Sequence, residues 1–223
     1  MGDMLTSVDR LFTLPHDQIV LLRLWNNEYD LGFKEKEIMD LWKEIPQPGT
    51  GLIQPVIEIC LESVGETVDK LWLIICDRQV KFKAKIARWE GLFTNPELFR
   101  LREGINWQKG LRWKKVDLGA NVACSSDQVR AMVGIESLPH VAVLSMGALS
   151  PLWVQNMKRK IGDTFVPFVE MAGFEICVQY CPPWSRVLTF CFDQERNHVA
   201  LSVCKASEIG YDSNSWCVPV FTK

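Results

Sequence analysis

Over residues 1–45, apolar side chains recur at the spacing of an amphipathic helix. Ile19 and Leu22, with the pair Val20 and Leu24, lie three and four residues apart, the period that gathers side chains on one side of a 3.6-residue turn. Pro15 stands where a first helical position would, Asp17 puts negative charge in the first turn, and Gly32 supplies a stop. A second helix follows from about Lys34 to Glu44, with Ile38, Leu41, Trp42 and Ile45 on one face. Pro46-Gln47-Pro48-Gly49 ends it, because proline has no N–H to donate and cannot continue a helix. The spacing predicts a helical hairpin whose apolar stripes need a surface to pack on, with Trp25 and Trp42 on those stripes and Trp72 on an apolar face further on.

The period then changes. Leu71-Trp72-Leu73-Ile74-Ile75-Cys76 is short and continuously apolar, the pattern of a buried strand. Val80–Ile86 alternates strictly, with Lys81, Lys83 and Lys85 on one side, which predicts a half-buried strand. Asp77-Arg78-Gln79 is short enough to join the two as a hairpin. Asn95-Pro96 predicts a turn into a short helix, Glu97 to Leu101, and Arg112 to Leu118 resumes as a strand. Ser125 or Ser126 can cap a helix through Val133, ended by Gly134.

His140 to Met157 fits either a buried helix interrupted at Ser150-Pro151 or a strand followed by a helix. Beyond it, residues 165–178, 186–193, 199–204 and 217–221 read as strands, with Cys181-Pro182-Pro183-Trp184 and Gln194–Asn197 as connections. Helices first and mostly strands later predict an α+β fold: an N-terminal helical hairpin, 1–45, packed on a mixed, mainly antiparallel sheet body with a few helices, 46–223. The two are expected to form one unit, because a lone hairpin buries too little.

Composition narrows the class. The chain has 223 residues, 48% of them apolar and 23% charged, within the globular range. A chain of this length can bury about 70% of its unfolded surface without disulfides or metals. Its most apolar stretches, Ile19–Trp25, Leu71–Cys76 and His140–Val154, are short or interrupted, so no membrane span is expected. Met1–Leu14 carries Asp3 and Asp9 and lacks a basic segment before an apolar run. The expectation is a cytoplasmic protein whose eight cysteines stay reduced, mostly as small hydrophobes in apolar runs.

Short catalytic signatures are missing: no G-x-G-x-x-G, no phosphate-binding G-x-x-x-x-G-K-[ST], no H-E-x-x-H, no G-x-S-x-G. His16, His140 and His198 are the three histidines. The weak catalytic candidates are Cys124, just ahead of a helix start that would lower a thiol pKa, with His140 or His198 as base and Asp117 to orient it. Cys177 and Cys181, with Cys191, His198 and Cys204 downstream, suggest a zinc site only if the chain turns between the first two, since four residues of strand span roughly 13 Å. No metal or other cofactor is expected.

Charge changes the picture most. Residues 1–50 carry a net −4, residues 51–78 −3, residues 79–115 +7 and residues 116–223 −2. In the basic stretch Lys81, Lys83, Lys85 and Arg112 are interleaved with Trp89, Trp107 and Trp113. Bases alternating with aromatics suit an acidic protein surface, where charge steers encounter and tryptophan anchors. They also suit single-stranded nucleic acid, although a pI near 6.0 runs against that. The same stretch could instead dock on the acidic N-terminal region of its own chain. The expected function is a non-catalytic adaptor or regulatory protein that binds an acidic partner through this surface. Single-strand nucleic-acid binding and a Cys124-dependent enzyme are the alternatives.

Overall fold

The computed structural model describes residues 12–49, 51–78, 95, 97–119, 124–156, 160–161, 164–165, 168–193, 198–208 and 216–222. The predicted strand 80–86, with Lys81, Lys83 and Lys85, lies outside the described residues, as do Trp89 and the connection 194–197.

The N-terminal hairpin forms, but on a narrower stripe than its periodicity implies: Ile19 and Leu22 are buried, whereas Val20 and Leu24, expected to belong to the apolar spacing, are 50% and 53% exposed on the outer side of the helix. Helix α1 spans Pro15–Glu28, and helix α2, Glu35–Asp40, runs on into a 3-10 turn, Leu41–Glu44. Asn26 closes the hairpin, its side-chain amide exchanging two 3.0 Å hydrogen bonds with the backbone of Phe33. Gly32 turns the chain at φ +76°, a conformation open to glycine without steric cost.

Two antiparallel sheets make up the body. Strands β1 (Ile53–Cys60) and β3 (Gly110–Asp117) pair along their whole lengths, and β10 (Val220–Thr222) joins the other edge of β3. The second sheet runs in the order β2 (Phe99–Leu101), β6 (Phe168–Ile176), β7 (Arg186–Asp193), β8 (His198–Lys205). Strand β9 (Trp216–Cys217) adds parallel to the start of β6, and β4 (Lys160–Ile161) and β5 (Thr164–Phe165) form a separate short pair. Helices α3 (Val64–Arg78), α4 (Ser126–Met132), α5 (Ala142–Leu149) and α6 (Pro151–Asn156), with a 3-10 turn at Ile135–Ser137, complete the described elements. The fold is α+β, with the N-terminal helices packed on sheet. Among the described residues no helix is long and apolar enough to cross a membrane.

Helix α5 is buried along its entire length and packs on β1 and α3. Its Gly147 allows the approach: a Cβ there would meet Ile75 Cδ1 of α3 at 2.9 Å and Phe190 of β7 at 3.5 Å. One continuous apolar core takes in Ile19, Leu22 and Trp25 of α1, Ile57 and Ile59 of β1, and Phe174 and Phe190 of the second sheet. The indole N–H of Trp25 donates to the Ala148 carbonyl at 3.0 Å, tying α1 to the end of α5.

Three expectations need correction. Leu71–Cys76 is helix, not strand, and no hairpin turn follows at Asp77, because α3 continues through Arg78. Burial shows why: Val68, Leu71, Trp72, Ile74 and Ile75 face the core while Leu73 is 41% exposed, a helical stripe masked by an apolar residue on the outer side. Glu97–Leu101 is a turn followed by β2, since Arg100 and Arg102 both reach Glu175 on β6 and hold the segment extended. Trp42, expected on the core, is 41% exposed and faces His16. The 3-10 turn advances fewer residues per turn than an α-helix, and Leu41 takes the buried position. For His140–Met157 the interrupted helix is the alternative realised, as α5 and α6 divided at Ser150.

Candidate binding clefts around strand β3

Among the described residues strand β1 pairs with β3 on one edge, and side chains satisfy the other. Gln18 of α1 donates to the Pro55 carbonyl at 2.8 Å and accepts from Ile57 N–H at 3.1 Å. Ser145 of α5 accepts from Ile59 N–H at 3.0 Å, and Thr67 of α3 from Leu61 N–H at 2.9 Å. Pro55 has no N–H, so it fits an edge. With that edge closed, the register of β1 on β3 places Glu58 opposite Arg112 and Val56 opposite Lys114, all on one face.

Among the described residues three clefts border β3. The first, about 240 Å³, lies over Glu58 and is lined also by Trp107, Arg112, Lys114, His140 and Phe221. The second, about 450 Å³, lies between Arg112 and Trp113 and the acidic side chains Glu37, Asp40 and Glu44 of the hairpin. The third, about 390 Å³, is lined by Pro46, Trp113, Lys114, Lys115, Phe221 and Thr222, among others. Every one of them uses side chains from the four residues Arg112–Lys115.

Glu58 is 1% exposed. Arg112 Nε lies 3.1 Å from its Oε2, an ion pair whose N–H is not aligned as a hydrogen bond. Burial pushes the Glu58 carboxyl pKa above the usual value, against the pull of Arg112 and Lys114. His140, 8% exposed, approaches Glu58 Oε1 to 3.5 Å through Nδ1. That nitrogen accepts a 2.9 Å hydrogen bond from Val141 N–H. Burial first, then Arg112 and Lys114, lower the imidazole pKa to about 3, so the ring is neutral and the contact is not an ion pair. Trp107 and Phe221 flank the ring at centroid distances of 5.9 and 6.3 Å. Next along β1, burial and then Glu58 push the Cys60 thiol to about 12, which keeps it protonated and inert.

No family model matches this chain, and neither a curated protein nor a solved structure does.

The basic–aromatic residues expected to meet a partner are placed as follows. Trp107 is half-buried and its indole N–H donates to the Leu61 carbonyl at 3.2 Å. Trp113 is half-buried and donates to the Leu41 carbonyl at 3.1 Å, which joins β3 to the hairpin. Arg112 also donates to the Gln108 carbonyl, and Lys109 pairs with Glu62. Part of the basic stretch thus docks on acidic residues of its own chain. Lys114 Nζ lies 4.7 Å from the Phe221 ring centroid, and Lys115 is exposed.

The catalytic candidates are not brought together in the described structure. Cys124 packs beside a minor apolar cluster that includes Val129 and Leu138, while the cleft lined by His140 has no cysteine in its described lining. Asp117 Oδ1 accepts from Gly119 N–H at 2.8 Å. His198 is the first residue of β8. All eight cysteines are free. The chain does turn between Cys177 and Cys181, but Cys181 Sγ accepts from Arg186 at 3.1 Å, and among the described residues no three His, Cys, Asp or Glu side chains converge to hold a metal.

Glu58 and Phe221 were not singled out by the sequence patterns, and Lys114 was counted only as one base of the 79–115 stretch. A signal for Glu58 exists: it is the lone carboxylate within Val56-Ile57-Glu58-Ile59-Cys60-Leu61, and an acid inside a buried strand needs a reason to be there. The pairing of Lys114 with Phe221 brings together residues 107 positions apart, which no local pattern encodes.

Proposed function

We propose that the protein is a non-catalytic cytoplasmic adaptor or regulatory protein that binds an acidic partner protein through the surface around β3. The observation supporting this reading is that three clefts share one four-residue stretch, Arg112-Trp113-Lys114-Lys115. Of the three, the cleft lined by Trp113, Lys114, Lys115 and Phe221, with Glu136 as its one carboxylate, suits a partner segment that carries carboxylates and an apolar anchor. Lys114 and Lys115 supply steering charge, and Lys81, Lys83 and Lys85 add to the same basic stretch of sequence. Arg112 has a different part, since it is committed to Glu58.

The test is affinity capture from the native host with the wild-type chain and with a Lys81→Glu/Lys83→Glu/Lys85→Glu/Lys115→Glu variant. Arg112 stays intact because its loss would leave Glu58 buried without its cation. Partners captured by wild type, retained after nuclease treatment and lost from the folded variant support the reading. Partners equally retained by the variant overturn it, and capture abolished by nuclease favours nucleic acid instead.

A further inference from the structure

Two of the clefts around β3 share Trp113 and differ in charge. The one on the hairpin side gathers Glu37, Asp40 and Glu44 against Lys43 and Arg112. Asp40 pairs with Lys43, and Arg112 with Glu58. Glu37 and Glu44 are exposed and make no ion pair among the described residues. Lys109 is near enough to feel Glu37, but it pairs with Glu62. The neighbouring cleft sets Lys114 and Lys115 against Glu136. Along β3 the surface is therefore anionic before Trp113 and cationic after it.

Strand geometry ties the two clefts into one row. Side chains alternate between faces along a strand, so Leu111, Trp113 and Lys115 share one face of β3. It is the face that meets the hairpin, because Trp113 donates to the Leu41 carbonyl at 3.1 Å. That bond holds the half-buried indole in place before any partner arrives, which lowers the ordering cost of binding. From Leu111 to Lys115 the row runs roughly 13 Å. An extended partner segment repeats on the same period, so its residues i, i+2 and i+4 point to one side and span the same length. A uniformly acidic segment would meet Glu37 and Glu44 at one end, and a uniformly basic one would meet Lys114 and Lys115 at the other. Either way like charges oppose each other.

We propose that the segment received along this row is extended and of mixed charge, in the order base–x–apolar–x–acid or its reverse. The base sits at Glu37 and Glu44, the apolar residue on Trp113, and the acid at Lys114 and Lys115. This rests on the reading that the surface around β3 binds a partner protein, and it adds a basic residue to the acidic one already called for.

The test is isothermal titration calorimetry on the full chain with acetylated, amidated heptapeptides. TRVLVET and TEVLVRT carry the mixed pattern in its two directions. TEVLVET is the all-acid control, and each mixed peptide is also made with its Arg or its Glu replaced by Gln. One mixed peptide is expected to bind saturably, and either replacement should weaken it about two- to fivefold, as for exposed charge pairs. Both gains should vanish in about 1 M salt. Glu37→Gln/Glu44→Gln should remove the gain from Arg and keep the gain from Glu, and Lys114→Gln/Lys115→Gln should do the reverse. Glutamine at position 37 still accepts from Lys34 N–H as Glu37 does, and circular dichroism checks the fold of each variant. If TEVLVET binds as tightly as the mixed peptides and depends on Lys114 and Lys115, the mixed-charge proposal fails while the association reading stands. Binding of none of the peptides also overturns the proposal, as does an Arg gain that survives in the folded Glu37→Gln/Glu44→Gln protein. The association reading itself falls only to the affinity capture.

Discussion

His140 and Glu58 are neighbours whose titrations act on stability with opposite signs. His140 is held to about 3 in the folded chain by burial and by the nearby cations Arg112 and Lys114, against an ordinary 6.5. Between those values the unfolded chain binds a proton that the folded chain refuses, so stability rises with pH. The contribution is complete above about 6.5 and is lost as pH falls toward 3, with a slope near 1.4 kcal/mol per pH unit. Glu58, with its pKa raised by burial, holds a proton longer when folded. Its effect is a gain in stability as pH falls through the folded pKa. His140→Asn, which keeps an acceptor for Val141 N–H and removes the titration, should flatten the loss of stability between pH 6.5 and 4.5 by one proton's worth. Urea unfolding of both proteins at several pH values measures it, and identical slopes would refute this account of His140. The sequence displays both residues but not their pairing: 82 positions separate them, and only the β1–β3 register with the packing of α5 brings them together.

At the scale of elements, the edge of β1 that no described strand pairs is the liability and its side-chain closure the remedy. Unpaired strand edges invite association with other chains, and here Gln18, Ser145 and Thr67 occupy that edge. Ser145 is wholly buried, accepts from Ile59 N–H and donates to the Val141 carbonyl at 3.1 Å. Ser145→Ala should therefore leave a buried backbone donor unsatisfied and cost about 1–3 kcal/mol, read as a lower urea midpoint with an unchanged slope. A cost near zero would mean that water or a backbone shift replaces the hydroxyl. Helices α1 and α2 were legible from the spacing of Ile19, Leu22, Ile38 and Leu41, and α4 from its cap: of the two candidates Ser125 is the one that caps, and Gln128 returns a bond to the Ser125 N–H. Helix α3 was not, because Leu73 fills an outward position with an apolar side chain. Its start signal was nonetheless present: Ser63 accepts from Glu66 N–H at 3.2 Å in a Ser-x-x-Glu sequence. Strand β2 was illegible for a different reason, since what extends it is Glu175, 75 residues downstream of Arg100.

Across the whole molecule, the near-zero net charge is partly an internal match. The chain is −7 over residues 1–78 and +7 over 79–115, and the described structure pairs Lys109 with Glu62 and Arg112 with Glu58 across that divide. Those two pairs lie within the body; the hairpin is bound to it by the Arg78–Glu28 ion pair, by Trp113 donating to Leu41 and Lys70 donating to the Tyr29 carbonyl, and by apolar packing. Ile19, Leu22, Phe33, Ile38 and Leu41 are each 6% exposed or less within the shared core. At roughly 1.5–3 kcal/mol per buried side chain, they supply as much as the net stability of a whole domain, about 5–15 kcal/mol. Gln18 adds its closure of the β1 edge. A chain shortened to residues 51–223 should consequently lose the core wall and the edge cover together. The expected outcome is a protein that aggregates and shows no cooperative thermal transition, while supplying residues 1–50 as a separate co-expressed segment restores solubility. A monodisperse 51–223 chain with a sharp melting transition would instead establish the hairpin as a separable domain, and the packing of Leu41 and Trp113 as an accessory contact.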